Sequence, residues 1–240
     1  MRSRVPGSTD QERIGVVIAL PAEARPLATA QASGFEILIS GPGPARAAEG
    51  ATLLVDRGVH SLLSWGTSGA LRPDLRAGRL ILATEVHDDS GRQYASDARW
   101  LTRAAAALAA LEPVRAPCAT VPQPVASVQE KQALAARTGC AAVDMEAAAV
   151  AAVAAAHGLP FLAVRSIVDP ADCELPRCVL AGLRPTGATD MPALLAALLR
   201  RPWELGGLIR LALHFDAALR SLRRAAGLLP RIETPVTGHS

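Results

Sequence analysis

Short apolar runs recur along the chain, separated by glycine, proline and polar clusters, and most have the length and composition of buried strands. Ile14–Leu20, Phe35–Ile39, Ser61–Trp65, Leu80–Val86 and Phe161–Val168 are such runs, built largely from Ile, Leu, Val and Ala. Ala-rich segments between them read as helices: Ala47–Arg57, Trp100–Leu111, Gln129–Thr138 and the run that follows Glu146. Gly58, Gly139 and Gly158 stand just beyond three of these helices, where a left-handed residue ends a helix without strain. Strands alternating with short helices predict an α/β fold around a mainly parallel sheet. Pro21-Ala22-Glu23 reads as the loop leaving the first strand, and Gly66-Thr67-Ser68-Gly69 as a sharp turn off the third. Cys118–Ser127 reads as an extended, proline-punctuated segment.

After Asp172 the pattern changes. Cys173–Gly187, with Pro176, Gly182 and Pro185, reads as a loop region. Asp190 can cap a helix that has Pro192 in its first turn, and Pro202 can start another. Leu205, Leu208, Ile209, Ala212, Phe215, Leu219 and Leu222 then share one helical stripe, with Arg210, His214, Ser221 and Arg224 opposite. Such a stripe suits packing on the sheet or on a partner subunit, and it also suits a membrane surface, with Trp203 and the arginines among the headgroups. The chain thus divides into an α/β domain over 13–189 and a helical extension over 190–229, preceded by a polar segment over 1–12 that reads as mobile.

Composition narrows the class. Half of the 240 residues are hydrophobic and a fifth are charged, as in a globular protein, while aromatics at 3% leave the core to Ala, Leu and Val. The net charge of +3 is too small to point to nucleic acid, and the tail from Asp190 holds a surplus of the same size. Lys131 is the only lysine beside many arginines, a bias that reads as genome composition. Cys118, Cys140, Cys173 and Cys178 form no CxxC pair; Cys173 and Cys178 could bridge, but reduced thiols are the expectation. Arg2 and Arg4 before Ile14–Leu20 imitate a secretory leader. Asp10, Glu12 and Arg13 abut that run, so it reads as the first strand of a cytoplasmic enzyme. No apolar run reaches membrane-spanning length.

Several positions could carry chemistry. Asp144 and Glu146 bracket Met145 ahead of an apolar helix, Arg165 interrupts an apolar strand, and Asp169 stands at that strand's carboxyl end, where α/β folds place ligands. Ser40-Gly41-Pro42-Gly43-Pro44 could present backbone N–H groups to an anion or serve only as a tight turn. Gly66 and Gly69 around Thr67 and Ser68 fit close approach of backbone to a ligand. His87, Asp88 and Asp89 have poor spacing for a metal and read as a solvated loop; no metal site is expected.

The stretch Val143-Asp-Met-Glu-Ala-Ala-Ala-Val-Ala151, followed by His157-Gly-Leu-Pro-Phe-Leu-Ala-Val-Arg-Ser-Ile-Val-Asp-Pro-Ala-Asp172, resembles the signature of the purine nucleoside phosphorylase/nucleosidase superfamily. Ile14-Gly-Val-Val-Ile-Ala-Leu-Pro-Ala-Glu23 resembles the first strand and catalytic Glu loop of methylthioadenosine/S-adenosylhomocysteine nucleosidases. Ser64–Ala70 resembles the central Gly-rich turn, and the whole chain with its tail is most similar to the hopanoid-biosynthesis branch, the adenosylhopane nucleosidases or hopanoid-associated phosphorylases.

The resemblance implies a three-layer α/β/α sandwich around a twisted mixed sheet, a homodimer, and cleavage of a purine N-glycosidic bond with no cofactor. It assigns Asp169 as the acid at the purine, Glu23 as the base that activates water, and Glu146 with Met145 as the ribose site. Thr67, Ser68 and Arg165 are further substrate-site candidates, Arg165 as the positioner of a carboxylate. Val168 departs from the Ser usual before the acid, and Ala147 from a frequent Gly. The first loop, Pro21-Ala-Glu-Ala-Arg25, lacks the Gly-Asp-Pro-x-Arg phosphate turn of the hexameric phosphorylases, and a carboxylate at Glu23 would repel phosphate. The implied reaction is therefore hydrolysis of adenosylhopane to adenine and ribosylhopane. Phosphorolysis of the same substrate and a housekeeping thioadenosine nucleosidase are the alternatives. A lipid substrate would place the enzyme at the inner face of the membrane.

Overall fold

The computed structural model describes residues 13–29, 34–182 and 190–228. Expectations for residues 1–12, for Pro185 and Gly187, and for residue 229 fall outside the described residues. The chain order is β1 (Ile14–Ile18), α1 (Pro21–Thr29), β2 (Phe35–Ile39), α2 (Pro44–Asp56) and β3 (Ser61–Ala70). Next come β4 (Leu80–His87), β5 (Gln93–Ala95), α3 (Ala98–Ala107), β6 (Val114–Thr120) and α4 (Val128–Thr138). Then follow β7 (Ala142–Asp144), α5 (Ala147–Ala156), β8 (Phe161–Asp169), α6 (Arg177–Gly182), α7 (Met191–Arg200) and α8 (Leu205–Ala226).

Local chemistry accounts for most boundaries. Asp97 accepts from Trp100 N at 2.8 Å and starts α3. Ser127 and Glu130 form a reciprocal capping box at α4, which Gly139 ends at φ 67°. Asp190 accepts from Ala193 N at 3.1 Å and caps α7. Four expectations need correction. Pro21–Glu23 is the first turn of α1 and not a loop, because proline at a helix start gives up only an N–H that has no partner there. Gly66–Gly69 stays inside β3, since β8 pairs along Leu62–Gly69 and β7 takes the other edge at Gly69–Ala70. Part of the segment read as merely extended belongs to β6, which pairs with β4 and β7. Arg177–Gly182 within the expected loop is helical.

The sheet runs β2-β1-β3-β7-β6-β4-β5, and β8 bridges β3 and β4. That bridge makes β3, β8, β4, β6 and β7 a closed ring, with β1 and β2 extending it on one side and β5 on the other. Five of the pairings are parallel and three antiparallel, so the sheet is mixed and mainly parallel. Irregularities at Ser68/Gly69 and Ala83/Val86 bend the two long strands toward closure.

Both faces are buried, which is why the strands read as continuous apolar runs. Val17, Leu62, Ile81 and Ala163 point into a core shared with α2 and α5. Their neighbours Val16, Ile18, Leu63, Trp65, Leu82 and Val164 point into a second core shared with α1, α3 and the end of α8. The period-two alternation thus builds a three-layer α/β/α arrangement.

The stripe on α8 divides. Leu222 is fully buried in the second core, whereas Leu205 and Ile209 are 49% and 53% exposed. The helix is therefore core at one end and surface at the other. Leu222→Ala should lower unfolding free energy by about 2–5 kcal/mol, while Ile209→Ala should stay within about 0.5 kcal/mol. Denaturant titration of both variants checks this, and equal losses would contradict the division.

Candidate active site

The carboxyl ends of β1, β3, β7 and β8 converge on one pocket of about 220 Å³. Its lining includes Glu23, Thr67, Ser68, Met145, Glu146, Arg165 and Asp169, so the residues that the resemblance assigns to catalysis or substrate binding all line the same cavity. These residues come from four separate stretches of chain, which the sheet topology brings together.

Glu23 enters from the first turn of α1 and is 2% exposed. Its Oε1 accepts from Thr67 N at 2.8 Å and Thr67 Oγ1 at 2.7 Å, and its Oε2 accepts from Leu20 N at 3.1 Å. Burial raises its pKa, and the Thr67 bonds oppose that rise. A Cβ on residue 66 would lie 3.0 Å from Glu23 Oε2, so the space opened by Gly66 belongs to this carboxylate. Thr67 thus engages Glu23 directly, while Ser68 Oγ is buried with no hydrogen-bond partner among the described residues.

Asp144, Met145 and Glu146 leave β7 in a tight turn into α5. Asp144 is 6% exposed and accepts from Thr120 Oγ1 at 2.7 Å and from the N–H groups of Glu146 and Ala147, both at 3.2 Å. Arg165 Nε reaches Asp144 Oδ2 at 2.7 Å, and its other nitrogens donate to Val164 O at 3.0 Å and Ser64 Oγ at 2.6 Å. Arg165 therefore holds Asp144, and Asp144 holds the turn. Replacing one partner of so buried a pair would strand the other charge. Glu146 Oε1 accepts from Gly43 N at 2.7 Å, so the Ser40–Pro44 turn presents its backbone to this side chain. Gly43 adopts φ 101°, open to glycine and strained for other residues. Burial first, and Asp144 next, push the Glu146 pKa up to about 7.

Asp169 ends β8 and is 6% exposed. Its Oδ2 lies 2.6 Å from Nζ of Lys131, which is 1% exposed on α4. Burial raises the Asp169 pKa; Lys131 opposes the rise, with smaller help from His214 and Arg210 of α8. Lys131 was missed in the sequence, and its position as the chain's single lysine was the available signal. Among so many arginines a single lysine departs from the chain's own bias. Val168 beside Asp169 lines the pocket and supplies no hydroxyl there. Ala147 is fully buried at the start of α5.

Positions outside the pocket have plain roles. His87 Nε2 lies 2.8 Å from Glu85 Oε1, and Asp88 Oδ1 accepts from the N–H groups of Ser90 and Arg92, both at 2.9 Å, shaping the β4–β5 hairpin. Among the described residues no three His, Cys, Asp or Glu side chains converge as a metal site. All four cysteines are free.

Buried carboxylates at strand ends, around one pocket of a closed mixed sheet, define an α/β enzyme. The profile of the phosphorylase superfamily matches residues 24–199. The 5'-methylthioadenosine/S-adenosylhomocysteine nucleosidase of Geobacillus thermodenitrificans is 30% identical over 197 residues, covering 72% of this chain and 80% of the relative. The enzyme of the same name from an Exiguobacterium species is 29% identical over 159 residues, covering 58% and 68%. Among solved structures, futalosine hydrolase of Helicobacter pylori superimposes with a TM-score of 0.68 at 20% identity, covering 94% of this chain and 98% of that one. The methylthioadenosine/S-adenosylhomocysteine nucleosidase from Neisseria meningitidis, in complex with methylthio-immucillin-A, gives 0.68 at 18% identity, covering 92% and 98%. These structural likenesses are likenesses of fold. The chain belongs to the phosphorylase superfamily.

The pocket's electrostatics predict a stability signature. Glu146 has a folded pKa of about 7 against an ordinary 4.5. A raised carboxyl contributes stability that is present below the unfolded pKa and lost as pH rises through the folded one. Glu146→Gln removes that loss, so the variant should gain in melting temperature over the parent between pH 5 and pH 8. Parallel melting curves across that range would contradict the assignment.

Proposed function

We propose that this enzyme is a purine nucleosidase that hydrolyses the N-glycosidic bond, with Asp169 as acid and Glu23 as base. The observation that carries this is the convergence of Glu23, Glu146 and Asp169 on one pocket, each with a pKa raised chiefly by burial. Cleavage of a glycosidic bond passes through an oxocarbenium-like sugar cation and needs a proton for the leaving base, a nucleophile at the anomeric carbon and a grip on the hydroxyls. Asp169 gives its proton to the purine as the bond electrons move to the base. Water attacks the anomeric carbon and yields a proton to Glu23. Glu146 accepts hydrogen bonds from ribose hydroxyls, and Met145 packs on the sugar. Thr67 and Arg165 hold carboxylates in place, and Ser68 has a free hydroxyl to offer.

Water is favoured over phosphate by the use of the donors around Glu23. The N–H and hydroxyl of Thr67 and the N–H of Leu20 all donate to the Glu23 carboxylate, so none of these three is left for an anion. A phosphate dianion there would displace or face a carboxylate.

The proposed substrate is adenosylhopane, with adenine and ribosylhopane as products. Support comes from the helices beside the acid. Gly207 packs on Pro176, Glu204 accepts from Cys178 N at 2.8 Å, and Arg210 and His214 act electrostatically on Asp169. The same region exposes Leu199 at 84%, Trp203 at 75% and Ile209 at 53%. Moving a hopane skeleton into water would cost roughly 25 cal/mol per Å² of apolar surface. Exposed apolar side chains and arginines on the helices after Asp190, set against a membrane surface, would avoid most of that cost. No helix among the described residues is long and apolar enough to cross a membrane. The homodimer implied by the resemblance belongs to this proposal. A soluble thioadenosine substrate is the second reading, favoured by the activities in the relatives' names.

Adenine release from adenosylhopane in anionic liposomes and from methylthioadenosine in solution tests the assignment. Asp169→Asn should reduce turnover on the true substrate by about 10²–10⁴-fold with little change in KM. Replacing Trp203 and Ile209 with serine should slow the lipid substrate far more than methylthioadenosine. Release from the soluble nucleoside alone would end the hopane reading, and a near-normal rate for Asp169→Asn would mean another residue is the acid.

A further inference from the structure

The pair formed by Lys131 and Asp169 asks more of the site than proton donation. Lys131 Nζ has three N–H groups and uses all of them: Asp169 Oδ2 at 2.6 Å, Pro170 O at 2.9 Å and Cys173 O at 2.6 Å. Side-chain exposure is 1% for Lys131 and 8% for Asp169, so water takes little part in stabilising either charge. Asp169 Oδ1 makes no hydrogen bond among the described residues. One carboxyl oxygen is thus fixed by the ammonium, and the other is left for a ligand in the pocket that Asp169 lines.

Resting on the nucleosidase reading, we propose that Lys131 is a positioning residue that acts through Asp169 as the standing counter-charge for purine departure. When the Asp169 O–H bond breaks and the purine N–H bond forms, the carboxyl becomes an anion inside a nearly dry site. The ammonium is already placed to receive that charge and need not reorganise, which is where preorganised electrostatics contribute most to rate. The two carbonyl bonds add a second effect, because they tie the chain after β8 to α4 and so fix the direction of the acid. Burial raises the Asp169 pKa, and the ammonium beside it opposes that rise, easing release of the proton. The other groups facing Asp169 are Arg210 and His214 of α8 and the Cys173 thiol. The two from α8 act in the same direction as Lys131 but rank below it.

Lys131→Met and Lys131→Arg, each checked for folding by its melting temperature, test the proposal through the pH profile of adenine release. In the parent, kcat/KM falls on the alkaline side as Asp169 loses its proton. Lys131→Met should lower kcat about a hundredfold with little change in KM, and should move that alkaline limb upward by a pH unit or more. Lys131→Arg should keep the limb near its parental position. A slower Met variant with an unmoved limb would mean that Lys131 only ties chain segments together. A parent that releases no adenine from any purine nucleoside would instead overturn the nucleosidase reading. Because the chain has one lysine, 13Cε-lysine labelling gives one resonance for this residue in the unmutated protein. That resonance should step at the pH of the alkaline limb and lose the step in Asp169→Asn. If the Met variant does not fold, the absence of that step in the parent overturns the proposal.

Discussion

Glu23, Lys131, Asp144, Arg165 and Asp169 are each at most 6% exposed, and they gather with Glu146 at one end of a sheet made of small apolar residues. Removing such charges from water costs several kcal/mol apiece unless partners replace the lost solvent. Around this pocket the fold supplies those partners from distant parts of the chain. Backbone N–H groups of Leu20, Gly43 and Thr67 meet two of the carboxylates, Arg165 meets a third and Lys131 a fourth. The partners come from separate elements, Thr67 from β3, Arg165 from β8, Lys131 from α4, and Leu20 and Gly43 from the segments after β1 and β2, which the closed ring of β3, β8, β4, β6 and β7 helps bring together. Asp144 with Arg165 holds the turn, and Glu23, Glu146 and Asp169 are the carboxylates to which the proposed function gives the chemistry.

Much of this was legible in the sequence because it is carried by local pattern. Apolar runs with glycine and proline boundaries located the long strands, and the acidic residues at their carboxyl ends marked the pocket. What escaped detection depends on pairing between distant segments. Gly66–Gly69 looks like a turn when read alone and is strand because β7 and β8 hold its two edges. β5 and β7 are three residues each and carry no periodicity to detect. Lys131 sits in an ordinary helical pattern, and only the fold shows that its side chain ends against Asp169. The turn at Gly43 was ambiguous between anion site and tight turn, and its N–H proves to face the Glu146 carboxylate.

The tail illustrates a different limit. A single stripe of Leu, Ile, Ala and Phe on α8 gives no sign of where burial stops. In the fold, Leu222 lies in the core shared with α1 and α3, while Leu205 and Ile209 stand clear of it. The first half of that helix instead packs on the segment that follows Asp169, through Gly207 and Pro176. The helix therefore joins the sheet's core to the segment that follows Asp169.

The central claim is that the pocket delivers water to an anomeric carbon while Asp169 protonates the departing purine. Running the reaction in H₂¹⁸O with phosphate present, on whichever purine nucleoside the enzyme cleaves, reads this directly by mass spectrometry of the released sugar. The account predicts one ¹⁸O atom in the anomeric hydroxyl and no sugar phosphate. A sugar 1-phosphate without ¹⁸O would contradict it.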